Sequence, residues 1–231
     1  MATIVKEQST LQGQAHKEWI FVGGVWFITL ITFFLPSFIK GTIGIYFVPV
    51  VMVGVASQVT WKSMIIIRGN IGEKRVFNIL KELPDSYFVL NDVTIKVDNK
   101  EAQIDHILIS PFGVWSVETK SHLGRIYGKE YDKNWTQKKK SDKGKIYTST
   151  FYNPVTQNEV HCKRLNALFN QRLGLNVPIK SVIVFTSANQ LNVQTTTPVI
   201  TLKQLKHVIQ TSDMQRILTE VTMRKIIELV A

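Results

Sequence analysis

The chain has 231 residues, 45% of them hydrophobic and 19% charged, and its 28 Lys and Arg against 17 Asp and Glu give a formal net charge of +11. One cysteine, Cys162, excludes an intrachain disulfide and with it a disulfide-stapled secreted scaffold. The basic excess points to polyanions, nucleic acid or anionic lipid headgroups, beside the plainer reading of a solvated basic surface.

The charge is unevenly spread. Residues 1–61 hold only Lys6, Glu7, Lys17, Glu18 and Lys40, so nearly all of the positive excess lies in residues 62–231. Residues 19–39 (WIFVGGVWFITLITFFLPSFI) and 41–61 (GTIGIYFVPVVMVGVASQVTW) contain no charge. About 20 residues at 1.5 Å each cross a hydrocarbon core of roughly 30 Å, so each run is long enough to span. Trp19, Tyr46 and Trp61 sit near the ends, where amphipathic rings favour the interface. Pro36 and the Lys40–Gly44 stretch read as the turn, and Gly23, Gly24 and Gly54 allow close helix packing. A signal peptide would have a shorter apolar region and a small-residue cleavage site, which this stretch lacks. Lys6 and Lys17 precede the first run, and Lys62, Arg68, Lys74 and Arg75 follow the second, which places both termini in the cytoplasm. The expected organisation is a short cytoplasmic N-terminus (1–18), a transmembrane hairpin (19–61, spans about 19–39 and 42–61) and a cytoplasmic domain (62–231) at the cell membrane. The paired spans also suit self-association into a homo-oligomer.

In the remaining segment, Asn70 and Glu73 have the spacing of a capping box, opening a helix with Ile71, Val76, Leu80 and Leu83 on one stripe, stopped by Pro84. Strands are expected at 87–90, 93–97, 103–110 and 114–119, with turns at Asp98-Asn99-Lys100 and Pro111-Phe112-Gly113. Residues 124–146 read as irregular, with strand-like fragments and the run KKKSDKGK. Asn153-Pro154 starts a long amphipathic helix that stops near Gly174. A buried strand (182–185), a short strand (199–202) and helices at about 202–210 and 213–230 complete an α/β order.

The hairpin QIDHILISPFGVWSVETK carries the most chemistry. If residues 110–113 form the turn, Asp105 stands opposite Glu118, and Lys120 points to the same side. Two opposed carboxylates repel unless a divalent cation lies between them. Mg²⁺, or Mn²⁺, with its oxygen ligands and retained waters, fits such a pair and would serve phosphodiester hydrolysis with Lys120 orienting water or stabilising the phosphate. A surface Asp–Lys or Glu–Lys pair is the competing reading. Glu73 is placed to add a carboxylate, or only to cap its helix. Gln157 opens the later helix with His161 one turn on, on the same face. His106 faces away, as a structural histidine. Trp135 with Lys138, Lys139 and Lys140 mixes stacking and charge in a manner suited to nucleic acid, against a solvated loop.

With these residues in view, the chain resembles the nuclease-related domain (NERD) family, a branch of the PD-(D/E)XK nuclease superfamily. The resemblance covers roughly residues 69–185 and rests on GNIGEKRV, YFVLNDV, IDHILISPFGVWSVETK, GRIYG with Trp135, and NPVTQ. It implies a restriction-endonuclease-like core of helix, antiparallel strands, helix and strand. It also implies Asp105 and Glu118 as metal ligands, Lys120 as catalytic lysine, Glu73 as the acid of the first helix and Gln157 as the later glutamine. Ile104 stands where the superfamily pattern has proline, a position that bears no ligand atom. The expected function is a membrane-anchored, metal-dependent nuclease acting on DNA. The alternative is a non-catalytic nucleic-acid tether at the membrane.

Overall fold

The computed structural model describes residues 1–6, 9–34, 47–212 and 215–231. Contacts divide the chain into two units, Gln8–Ile71 on one side and Met1–Glu7 with Gly72–Ala231 on the other. Within Gln8–Ile71 lie α1 (Ser9–Phe34) and the first part of α2 (Phe47–Lys81). Trp26 Nε1 donates to Thr60 Oγ1 at 2.9 Å, and Ser63 Oγ donates to Glu18 Oε2, so the two helices are linked by polar contacts. Phe27, Ile28, Leu30, Val50 and Val53 are exposed. Among the described residues one helix, Val50–Lys81, is long and apolar enough to cross a membrane. The expected turn at Pro36 and Lys40–Gly44 lies outside the described residues.

One boundary differs from the sequence expectation. The helix from the second apolar run does not end before Asn70 and restart there; α2 is continuous through Lys81. Asn70 is therefore a helix-interior residue with no capping role. The reason is local: Gly69 is an isolated breaker, worth about 1 kcal/mol against Ala, and no proline follows it to force a break.

The second unit is built on two sheets. Strands β1 (Thr3–Lys6), β2 (Phe88–Val97), β3 (Lys100–Ser110), β4 (Gly113–Lys120), β8 (Ile179–Phe185) and β10 (Val199–Thr201) form a six-stranded sheet in the order β1-β2-β3-β4-β8-β10. Strands β5 (Gly124–Lys129), β6 (Asn134–Lys140), β7 (Ile146–Tyr152) and β9 (Ala188–Gln194) form the second, in the order β7-β6-β5-β9. The hairpin β2-β3-β4 is antiparallel, while β8 runs parallel to β4, as a helical crossover between them requires. That crossover is α3 (Pro154–Leu173); α4 (Leu205–Ser212) and α5 (Glu220–Val230) follow β10.

Alternation along the central strands sorts the core into two layers. On one face Ile107, Ile109 and Val114 pack with Leu165 and Phe169 of α3 and Ile226 of α5. On the other, Leu108, Trp115, Val117 and Val182 pack with Val76 and Leu80 of α2 and Leu205 and Ile209 of α4. A third cluster, with Trp135, Ile126, Val155 and Phe185, lines the inner side of the second sheet.

Three features depart from the sequence expectation. Residues 87–90 and 93–97 belong to one strand, β2, interrupted at Asp92 (φ 52), which drops out of the ladder with β3. Residues 124–146 are not irregular but hold β5, β6 and the start of β7. Their inward positions are few, so the alternation that marks a strand is short. The four residues of β1 pair parallel to β2, so Met1–Glu7 belongs with the domain and not with a separate N-terminal segment.

Candidate active site

The β3–β4 hairpin closes on Ser110 and Gly113 and pairs Ile109 with Val114, Leu108 with Trp115 and His106 with Val117. This is the register expected from the four-residue turn; the paired ladder ends at His106 and Val117, and Asp105 and Glu118 follow just beyond it. Asp105 Oδ2 accepts from the Thr119 backbone N–H at 2.7 Å. Glu118 is almost fully buried, and Lys120 Nζ donates to its Oε1 at 2.7 Å. The same ammonium donates to Gln157 Oε1 at 2.9 Å, so one lysine ties β4 to α3.

The position of Gln157 is fixed by the start of its helix. Asn153 caps α3 by accepting from Val155 N–H at 2.9 Å, Pro154 fills the first turn where no N–H is needed, and Asn153 Nδ2 donates to the carbonyls of Glu130 and Asp132, each at 2.7 Å. One residue after Gln157, buried Asn158 accepts from Ser116 Oγ at 2.6 Å and donates to Ser116 O at 2.9 Å and Ser181 Oγ at 2.8 Å. These contacts pin α3 across β4 and β8. One turn further, His161 Nδ1 stands 3.4 Å from Glu118 Oε2.

Glu73 approaches from α2. Gly72 before it leaves room against the end of β4: a Cβ there would meet Thr186 Oγ1 at 3.0 Å and Ser121 Cβ at 3.3 Å. The negative charge of Glu73 is felt at Asp105. Asp105, Glu118, Lys120 and Gln157 thus lie close together, with the charge of Glu73 reaching Asp105 and His161 beside Glu118.

The two opposed carboxyls are driven apart in acidity. Burial, then the charges of Glu118 and Glu73, push Asp105 well above the ordinary carboxylate range. At Glu118 burial also acts upward, but His161 and Lys120 outweigh it and hold the group below its usual value. Like charges at adjoining positions cannot both ionise freely, and a dication between them removes the conflict.

The donors fit such an ion. Glu118 gives Oε1 to Lys120 and turns its buried Oε2 toward His161 at 3.4 Å without a well-aligned hydrogen bond, and Asp105 spends Oδ2 on Thr119, which leaves Oδ1 and the weakly held Oε2 as the oxygens nearest to a ligand role. Among the described residues no three His, Cys, Asp or Glu side chains form a ready metal cage. Two carboxylates with retained waters is the usual arrangement for Mg²⁺, which seldom takes a full protein cage.

Other residues marked in the sequence sit elsewhere. Trp135 does not present its ring to a ligand: it is fully buried, its Nε1 donates to Lys129 O at 2.9 Å, and it stacks with Phe185 at 6.5 Å. Its expected stacking role is corrected, since aromatic burial in the second sheet's core claims it. Lys138 and Lys140 are exposed on β6, while Lys139, on the opposite parity, lies near enough to His122 to disfavour its protonation. His106 is the buried structural histidine expected, with Nδ1 at 2.6 Å from Asn91 Oδ1 and burial lowering its pKa to about 3. Burial pushes the Cys162 thiol up to about 11, which removes it as a nucleophile. His122 carried no signal in the sequence: it stacks on Phe151 at 3.9 Å, and burial, then the Lys120 and Lys139 charges, bring its pKa to about 4.

The sequence profile described as "Nuclease-related domain" matches residues 68–186. An uncharacterized protein of Bacillus anthracis is 36% identical over 163 residues, covering 67% of this chain and 68% of that protein. No solved structure matches the chain.

Proposed function

Because the chain belongs to the nuclease-related domain family, we propose that it is a membrane-anchored, divalent-metal-dependent nuclease that hydrolyses phosphodiester bonds, in DNA before RNA. The observation that carries this reading is the nearness of Asp105, bonded to the Thr119 N–H, to Glu118, beside a lysine held between Glu118 and Gln157. A pure binding module gains nothing from two carboxylates aimed at one place on an otherwise basic chain. The order α2, β2-β3-β4, α3, β8 is also that of the PD-(D/E)XK core, which supports assigning that fold.

Asp105 and Glu118 would hold Mg²⁺ or Mn²⁺, with Glu73 adding negative potential from α2. The ion when bound supplies Lewis-acid polarisation of the phosphate and lowers the pKa of water. Lys120, fixed by Glu118 and Gln157, presents a positive charge toward developing negative charge on the phosphate. Gln157, with its amide oxygen on Lys120, keeps its Nε2 group to orient water or a phosphate oxygen. His161 steadies Glu118 from the helix side.

Membrane anchoring by two spans, with both termini in the cytoplasm, rests on the uncharged runs at 19–39 and 41–61 and the flanking lysines and arginines. Fractionation of cells after alkaline carbonate washing tests it, because a soluble domain would leave the pellet.

The activity is tested with the full chain in non-ionic detergent on plasmid DNA, linear DNA and RNA, with Mg²⁺, with Mn²⁺ and with EDTA. Cleavage should require the metal and fall by at least about 10²-fold in Lys120→Ala, the order of loss when one electrostatic stabiliser of a transition state is removed. Metal-independent cleavage, or full activity in Lys120→Ala, refutes the proposal. Binding without cleavage under every metal selects the tether instead.

A further inference from the structure

The second sheet turns one face inward on Trp135, Ile126 and Phe185 and leaves the other outward. The four strands β5, β6, β7 and β9 contain no Asp or Glu, although the chain as a whole has 17. Arg125 and Lys138 are a directly paired cross-strand couple on this outward face, both exposed. Like charges placed opposite each other destabilise a sheet unless something of opposite sign lies between them. Lys138 Nζ is held 5.0 Å over the Tyr127 ring, which keeps the ammonium above the sheet.

These residues line a cleft of about 880 Å³, which also takes in Lys140 and Gln190. Gly124 forms part of its wall with φ +82, and a Cβ there would strike the Lys138 carbonyl oxygen at 2.3 Å, so β5 and β6 come closer than any side chain at 124 permits. Gln190 is paired with Arg125 and Asn192 with Tyr127, which adds uncharged amide donors and acceptors beside the cations.

We propose that this outward face, centred on Arg125, Tyr127 and Lys138, binds a single nucleic-acid strand and feeds it to the Asp105–Glu118 site. A phosphate set between Arg125 and Lys138 relieves their repulsion, Tyr127 offers a ring to a base, and the amides meet base edges. Backbone cations with an aromatic and uncharged polar groups on a strand face is how single strands are held. The cleft volume is that of a small-molecule pocket, with room for a few nucleotides of one strand. Leu123, Tyr127 and Ile146 also line the cleft, so anionic lipid is the competing occupant, and the vesicle arm of the binding test addresses it. Lys120 and Gly124 are four residues apart, at most about 14 Å of chain, so a strand lying in the cleft starts close to the catalytic lysine.

The inference deepens the nuclease reading, and its test is made in EDTA, where binding is measured without cleavage. The full chain in non-ionic detergent is titrated against a fluorescent single-stranded DNA of about 20 nucleotides, longer than the site of one such module. Parallel arms use the matching duplex and vesicles containing phosphatidylserine. Arg125→Gln/Lys138→Gln should bind the single strand at least about tenfold more weakly and lower the salt-dependence slope by about 1.4, the loss of two phosphate contacts. Lys163→Gln/Lys203→Gln, which removes the same charge from exposed positions elsewhere, should bind like the unmodified chain. Equal weakening by both double variants reduces the effect to net charge and overturns the proposal. So does tighter binding of the duplex than of the single strand, or binding of vesicles with none of DNA. Loss of cleavage with binding intact would instead sink the nuclease reading and leave this surface standing.

Discussion

Asp105→Asn separates the cost of the opposed carboxylates from their use. The change keeps the size of the side chain and an oxygen to accept the Thr119 N–H, so the hairpin loses no contact. What it removes is charge. Opposed Cβ atoms lie about 5 Å apart, and two unit charges at that distance repel by about 3 kcal/mol at an effective dielectric of roughly 20. Lys120, at 2.7 Å from Glu118, cancels much of this and leaves a residue on the order of 1 kcal/mol. Asp105 has its pKa raised in the folded state, by burial first and by Glu118 and Glu73 next, so its contribution to stability is present at low pH and lost as pH rises through the folded value. The asparagine variant mimics the protonated form and keeps that contribution. In EDTA its Tm should match the unmodified chain below the unfolded carboxyl value of about 4 and exceed it by about 2–4 °C as pH rises through the raised folded value, the shift for about 1 kcal/mol in a domain of this size. Mg²⁺ at a hundredfold excess over its Kd should then raise the Tm of the unmodified chain, since that excess is worth about 2.7 kcal/mol, and leave Asp105→Asn unmoved. The readout is tryptophan fluorescence during heating, because Trp115 and Trp135 are buried in the domain. A variant less stable than the parent at every pH, or one that gains as much from Mg²⁺, refutes the electrostatic account.

Two further substitutions test the second sheet. Gly128→Ala would put a Cβ 2.3 Å from the Trp135 ring, and because that ring is walled in by Phe151 and Phe185 the expected loss is about 1–3 kcal/mol, read as a lower Tm; an unchanged Tm would mean that the ring has room to move. His122→Phe keeps the stack on Phe151 and removes a group whose native pKa is about 4 against an unfolded value of 6.5. Between those values the unfolded chain binds a proton that the native one refuses, so stability falls with falling pH by about 1.4 kcal/mol per unit, and denaturant titrations from pH 7 to 4 should find that slope smaller by one proton in the variant. An unchanged slope would mean that His122 takes up its proton in the folded chain.

The β3–β4 hairpin was legible because a period of two and a short turn leave only one register that buries Ile107, Ile109 and Val114 together, and that register brings Asp105 and Glu118 to the same end. The start of α3 was equally plain, since Asn153-Pro154 states a cap and a first turn in two residues. The second sheet was not. Residues 124–146 read as irregular with strand-like fragments because Arg, Lys and Thr fill the outward positions and the inward ones are few. Trp135 suffered from the same gap, for a tryptophan among lysines reads as a stacking ring until the sheet that buries it is known. Glu73 was legible as an acid but not in its setting, because the helix boundary expected at Asn70 depended on Gly69 breaking a helix that packing and length carried through.

Like charges meet at two places that bear on the substrate, Asp105 near Glu118 at the end of the hairpin and Arg125 against Lys138 on the outward sheet. Each costs the fold a little, and neither is needed to hold it, since it rests on the two layers either side of the six-stranded sheet. A phosphodiester strand accompanied by a divalent cation carries both missing signs, the cation for the carboxylates and the phosphates for Arg125 and Lys138. Complementary charge of this kind acts most where water is excluded, as at Glu118, and less on the exposed face. Salt should therefore weaken strand binding at the sheet far more than it weakens metal binding at the hairpin. If the two sites serve one substrate, raising ionic strength will increase KM while leaving the metal requirement of kcat in place, whereas equal loss of both would mean that the sheet and the hairpin do not share a strand.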